Sequence, residues 1–289
     1  MDRCHLTPTA LARWLQCAAC AAVSLGAAAQ EACQRAARLD SPPLARVLAQ
    51  AALREHALMG GAVIDAGGGL IRQGFAEAEQ DRAPESDRPT WQRVWGYWRA
   101  TPGAAPAQAG APVAQRRAVL VDQPWSAAFI GHVMRQAGLG ERQFRYSASH
   151  HDYVRAAIAS TEAEAQGRAT AYAYRACDLA LTAPRVGDLL CFAREGDGAA
   201  DTFAQLRQAL PARPLRMHCD LVVRRDSAGV EAVGGNVVQS VTLRRLELEG
   251  DGSGRLWSAY FESAHRQAAA TRRAAPEGEA EALLPDTHL

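Results

Sequence analysis

An α+β fold, with helices first and strands after, is predicted by the order in which hydrophobic periodicity changes along the chain. Between residues 43 and 164 apolar side chains recur at helical spacing. Between residues 187 and 248 they alternate, or run in short apolar blocks bounded by glycine and proline. The 289 residues, 48% hydrophobic and 22% charged, suit a globular chain with no internal repeat.

Each element carries its own signals. Residues 43–58 form a helix with the stripe Leu44, Val47, Leu48 and Ala51, stopped by Gly60-Gly61. Glu55 and His56 near its end are expected to face solvent, where such residues usually lie. Ala62-Val63-Ile64 is a short strand before a glycine turn. Thr90 opens a second helix whose Trp91, Val94, Trp95 and Trp98 form a core stripe, since indoles bury large apolar areas. Residues 101–115, rich in Pro, Ala and Gly, read as a loop.

Residues 122–138 read as the organising helix. Asp122 is its expected cap, Pro124 suits the first turn, and Gly138 suits the left-handed exit. Phe129, Val133 and Ala137 pack inward, and Trp125 and Ser126 fall at the N-terminal end, where unpaired N–H groups favour negative charge. A helix follows over residues 153–164, with Val154, Ala157 and Ile158 inward. His150 and His151 stand just ahead of it. Adjacent side chains point apart in regular structure, so at most one of the two serves a site. The strand region begins at Gly187–Phe192. It continues through an alternating stretch, Leu215–Val223, that sets His218 and Asp220 on one face and Cys219 on the other. Residues 229–233 form a strand broken by Gly234-Gly235-Asn236, and residues 237–248 supply one or two more.

Composition excludes several chemistries. All 32 basic residues are arginine, so phosphate-loop, Schiff-base and Ser-x-x-Lys lysines are ruled out. The net charge is +1 with both signs interspersed, so no nucleic-acid partner is expected. Arg3 and Arg13, the apolar run Trp14–Gly26 and Ala27-Ala28-Ala29 read as a signal peptide over residues 1–29, too short for a stable membrane anchor. The expected location is therefore periplasmic or secreted. A single domain is expected over residues 30–264, with a disordered, charged tail over 265–289. Cys33, Cys177, Cys191 and Cys219 remain after the leader. One or two disulfides are expected in an oxidising compartment, with the pairing open. No Cys-x-x-Cys follows the leader, so a structural zinc site is not expected; no other metal and no cofactor is expected either.

Ser126 at a helix start, His218 on a strand and Asn236 at a later strand's end stand in the order of nucleophile, base and base-orienting group. The local text matches too. Pro124-Trp-Ser-Ala-Ala-Phe-Ile130 resembles the nucleophile segment of CHAP and NlpC-type cell-wall amidases, with serine in place of their cysteine. Gly187-Asp-Leu-Leu-Cys-Phe192, His218-Cys-Asp-Leu-Val-Val223 and Val233-Gly-Gly-Asn-Val237 resemble their Gly-Asp-Leu, histidine and Gly-Asn strands. Over residues 44–248 the combination most resembles the bacterial domain-of-unknown-function 2272 family, placed near those amidases.

The resemblance implies a papain-like core, its helices packed on a small antiparallel sheet, and a cleft lined by Ser126, His218 and Asn236. Asp220 is a second candidate to orient the imidazole, and Trp125, His150 and His151 are candidate substrate contacts. The implied substrate is a peptidoglycan stem peptide or a similar amide. A hydroxyl does not ionise as a thiol does and needs a general base during attack. The alternative is therefore a catalytically inactive wall- or partner-binding module that keeps the cleft.

Overall fold

A computed structural model of the chain describes residues 33, 42–102, 111–194, 202–250 and 253. The expected leader over 1–29, the tail over 265–289 and the middle of the 101–115 loop lie outside these residues.

The element order is α1 (Pro42–Leu58), β1 (Ala62–Ile64), β2 (Leu70–Arg72), α2 (Thr90–Arg99), α3 (Val113–Asp122), α4 (Ser126–Gln136) and α5 (His150–Ala165). Then come β3 (Leu189–Ala193), α6 (Phe203–Ala212), β4 (Met217–Arg225), β5 (Val230–Val237) and β6 (Ser240–Leu246). The α+β expectation holds at this level. The strands form one six-stranded sheet in the order β2-β1-β6-β5-β4-β3. It is mixed rather than purely antiparallel, because β1 pairs with β6 in parallel while the other neighbours are antiparallel. A parallel pair needs a long crossover, and the chain between β1 and β6 holds most of the helices.

α1 ends where Gly60 and Gly61 take φ values of +83° and +70°, left-handed conformations that glycine adopts without steric penalty. Its Glu55 and His56 are buried, not solvent-facing. The Glu55 carboxylate accepts from Tyr97 at 2.7 Å and from Arg93 at 3.0 Å, which ties α1 to α2. Burial alone raises this carboxyl's pKa, but His132, Arg93 and Tyr97 outweigh it and hold it at about 2. His56 Nε2 lies 2.8 Å from the Ala62 carbonyl oxygen. These partners come from elsewhere in the chain, so a local reading does not find them.

Asp122 does not cap the organising helix. It is the last residue of α3, a helix that begins at the end of the 101–115 region expected as loop. Pro124 separates the two, since the residue before a proline is driven out of helical geometry, and Gln123 is extended at φ −115°, ψ 118°. α4 then starts at Ser126 with Trp125 as its N-cap. Ser126, Ala127, Ala128, Phe129, Ile130, Gly131, Val133 and Met134 are all buried, so this short helix is enclosed on almost every side. It packs on α1, α2, β4 and β5. Trp125, Phe129, Tyr97, Leu221 and Val233 share its core cluster. Each such side chain contributes about 1.5–3 kcal/mol through burial.

β5 runs through Gly234-Gly235-Asn236 to Val237 instead of stopping there, with a register shift against β6 between Gly234 and Val237. Both glycines are required by what presses on them. A Cβ on Gly234 would lie 1.8 Å from Asp220 Oδ1, and one on Gly235 would lie 2.5 Å from the Phe129 Cβ.

The four remaining cysteines form two disulfides, Cys33–Cys177 and Cys191–Cys219. Cys191 and Cys219 are directly paired across β3 and β4, with Cα atoms 4.1 Å apart. Such bonds are compatible with an oxidising, non-cytoplasmic compartment. Among the described residues no helix is long and apolar enough to cross a membrane.

Candidate active site

Ser126 is the first residue of α4, and its Oγ lies 2.7 Å from His150 Nε2. His150 is the first residue of α5, and its Nδ1 is bonded to the hydroxyl of Tyr153, one turn along the same helix. Behind His150 lies His218 of β4, the ring centroids 5.3 Å apart. His218 Nε2 is 2.8 Å from Asp220 Oδ1, two residues along the strand and therefore on the same face. Arg244 of β6 brings its Nε within 3.5 Å of Asp220 Oδ2. Contacts thus run from Ser126 to His150, from His150 to His218, from His218 to Asp220 and from Asp220 to Arg244. Relative exposures of 4% for Ser126, 4% for His150, 2% for His218 and 0% for Asp220 close the cluster to solvent.

Burial sets the protonation of this cluster. It holds the His150 pKa well below the usual imidazole range, and the charges of His218 and Arg194 add to the effect. Burial also lowers His218, and the Asp220 carboxylate beside it only partly offsets this. Burial would raise Asp220, but His218 and Arg244 outweigh it and hold the carboxyl at about 2. At neutral pH the cluster is therefore two neutral imidazoles and one carboxylate braced by an arginine.

A neutral imidazole 2.7 Å from a serine hydroxyl has the geometry for proton transfer. The base-competent tautomer carries its proton on Nδ1, donates it to Tyr153 and accepts the serine proton at Nε2. The first helical hydrogen bond of α4 runs from the Phe129 N–H to the Trp125 carbonyl. The N–H groups of Ser126, Ala127 and Ala128 precede it and point out of the helix end, where they favour developing negative charge.

The residues singled out from sequence separate into groups. Ser126, His150, His218 and Asp220 come together, with His150 between the serine and His218. Trp125 is fully buried, and its indole N–H donates to Glu77 Oε2 at 3.4 Å. His151 turns away, and its Nδ1 accepts the Leu215 backbone N–H at 3.3 Å. Asn236 sits on β5 with φ +56°, and among the described residues no hydrogen bond joins it to either imidazole. Tyr153, Arg244 and Glu77 are members that sequence reasoning misses. Tyr153 carries a usable signal, being three residues after His150 on a helix. Arg244 and Glu77 arrive through tertiary structure and carry no local signal. No group of three His, Cys, Asp or Glu residues among those described could hold a metal ion.

The fold and cluster define an α+β protein with a buried helix-N-terminal serine bonded to one histidine, which itself packs on a second. The chain belongs to the bacterial family described as "Uncharacterized protein conserved in bacteria (DUF2272)", which it matches over residues 85–273. No curated protein and no solved structure matches it.

Proposed function

We propose that this protein is an exported hydrolase with a papain-like core, cleaving an amide of a peptidoglycan stem peptide or a related peptide. Ser126 is the nucleophile. The observation that carries this reading is the 2.7 Å approach of its Oγ to His150 Nε2 at the start of α4. Ser126 Oγ bonds to the amide carbon while His150 takes the hydroxyl proton. The C–N bond then breaks, and that proton leaves on the amine. Water, deprotonated by the same imidazole, hydrolyses the acyl-enzyme. The first-turn N–H groups of α4 stabilise the oxyanion. His150 is the base in this scheme, Tyr153 orients it, and the His218–Asp220 pair supports it from behind. The disulfides and the leader-like N-terminus fit an extracytoplasmic wall substrate.

The near-complete burial of all four site residues favours a second reading: a non-catalytic module in which the serine–histidine contact is structural. A serine-directed phosphonate probe and a set of muropeptides separate the two. Labelling at Ser126 that His150→Ala abolishes, together with muropeptide cleavage, supports the hydrolase. Absence of both in the wild type, with cleavage appearing only in Ser126→Cys, identifies a site that has lost its chemistry.

A further inference from the structure

A cavity of about 290 Å³ lies on the other side of Tyr153, between α1, α5 and the segment leading into β3. That is close to the lower end, about 300 Å³, of pockets that hold small ligands. Much of its wall is aliphatic, including Leu44, Leu48, Val154, Ala157, Leu189 and Leu206. The charges in the wall are matched internally, Arg175 with Glu164 and Arg185 with Asp188. The tyrosines are engaged too: the Tyr172 hydroxyl donates to the Tyr153 carbonyl oxygen, and the Tyr174 hydroxyl to that of Gly187. Among the polar atoms of the wall, Thr182 Oγ1 and Arg175 Nε are buried and have no hydrogen-bond partner among the described residues.

We propose that this cavity binds an uncharged single-chain acyl compound, its chain against the aliphatic wall and its carbonyl oxygen accepting from Thr182 and Arg175. The chemistry selects this class. Matched wall charges disfavour a cation or a free anion, because an ion buried without a counter-charge is costly. An unpartnered donor beside apolar walls calls for an acceptor on an otherwise apolar molecule, since a buried polar group left unpaired carries a desolvation penalty until it is satisfied. Tyr153 belongs both to this wall and to the bond that holds His150, so the ligand would lie directly against the candidate active site.

Octanamide binding to the oxidised protein tests this, measured by equilibrium dialysis on the Ser126→Ala variant so that turnover plays no part. Its failure is thereby independent of the hydrolase reading. Saturable one-to-one binding is expected. Ala157→Phe, which fills the cavity, should weaken it at least tenfold. Thr182→Val, which keeps the shape and removes the hydroxyl, should weaken octanamide several-fold and leave binding of an octane probe unchanged. Ala45→Phe offers a second way to fill the cavity should Ala157→Phe lower the melting temperature sharply. Absence of saturable octanamide binding overturns the proposal, as does binding that both filling variants retain. Equal affinity of wild type and Thr182→Val overturns the assignment of the carbonyl contact.

Discussion

His150, not His218, touches Ser126: its Nε2 lies 2.7 Å from the serine Oγ, while both nitrogens of His218 point elsewhere, Nε2 at 2.8 Å from Asp220 and Nδ1 at 3.5 Å from Arg194. The two imidazoles therefore have different jobs. If Ser126 is a nucleophile, His150→Ala should lower phosphonate labelling by about 10²–10⁴-fold, the usual contribution of a positioned base. His218→Ala should lower it less, because its effect passes through the placement of His150. The two rate constants of labelling check this ordering.

Tyr153→Phe removes the hydroxyl bonded to His150 Nδ1 but keeps the ring in the core. The labelling rate should fall and its pH dependence should shift, while the melting temperature changes little. A purely structural role would move the melting temperature and leave the pH profile of labelling in place.

Asp220 is fully buried and braced by His218 and Arg244. Asp220→Ala leaves both basic partners without their carboxylate and should cost about 3–5 kcal/mol in urea unfolding. The folded carboxyl titrates at about 2, below its ordinary 3.8, so its stabilisation is complete above the unfolded value. It is lost as pH falls from about 4 towards 2.

Glu77 behaves in the opposite sense. Burial pushes its carboxyl up to about 7, and the Trp125 indole N–H only partly opposes this. A raised folded pKa gives stability that is complete below the unfolded value of 4.5 and is lost as pH rises towards 7. Relative to its standing near pH 5, Glu77→Gln should therefore gain on the wild type by on the order of 2 kcal/mol near pH 7.5, because a tenfold change in proton affinity is worth about 1.36 kcal/mol and the unfolded carboxyl is already largely ionised at pH 5. Urea unfolding of both proteins at the two pH values measures the gain. Equal differences at the two would exclude an ionisable, buried Glu77.

Gly234→Ala would push a methyl into Asp220 Oδ1 and His218 Nε2. A loss of about 1–3 kcal/mol is expected from overpacking. Gly250→Ala, where a Cβ meets no neighbour within 4 Å, is the control and should change little. Chemical denaturation of the two variants side by side measures the difference.

The elements that sequence discloses are those whose signal is local. Phe129 and Val133 announce α4 by their spacing, Gly60-Gly61 announces the end of α1, and the alternation from Met217 to Val223 announces β4 and the shared face of His218 and Asp220. α3 stays hidden because Pro, Ala and Gly around residues 101–112 read as loop and its own stripe is weak, with Leu120 its only buried residue. β5 looks shorter than it is because Gly234-Gly235 has the composition of a turn. In the fold, these glycines are what let β5 lie against Asp220 on one side and Phe129 on the other.

Sequence by itself determined the class of the fold, the serine at a helix start, the neighbouring His218 and Asp220, and the supply of cysteines for two bridges. Only tertiary structure decided that Cys33 meets Cys177, that β1 returns beside β6, that Glu77 meets the Trp125 indole, and that His150 rather than His218 meets the serine. Spacing along a helix or strand fixes which side chains share a face, because backbone geometry repeats every few residues. Which faces then meet depends on how the whole apolar surface is buried at once, and that is a property of the entire chain.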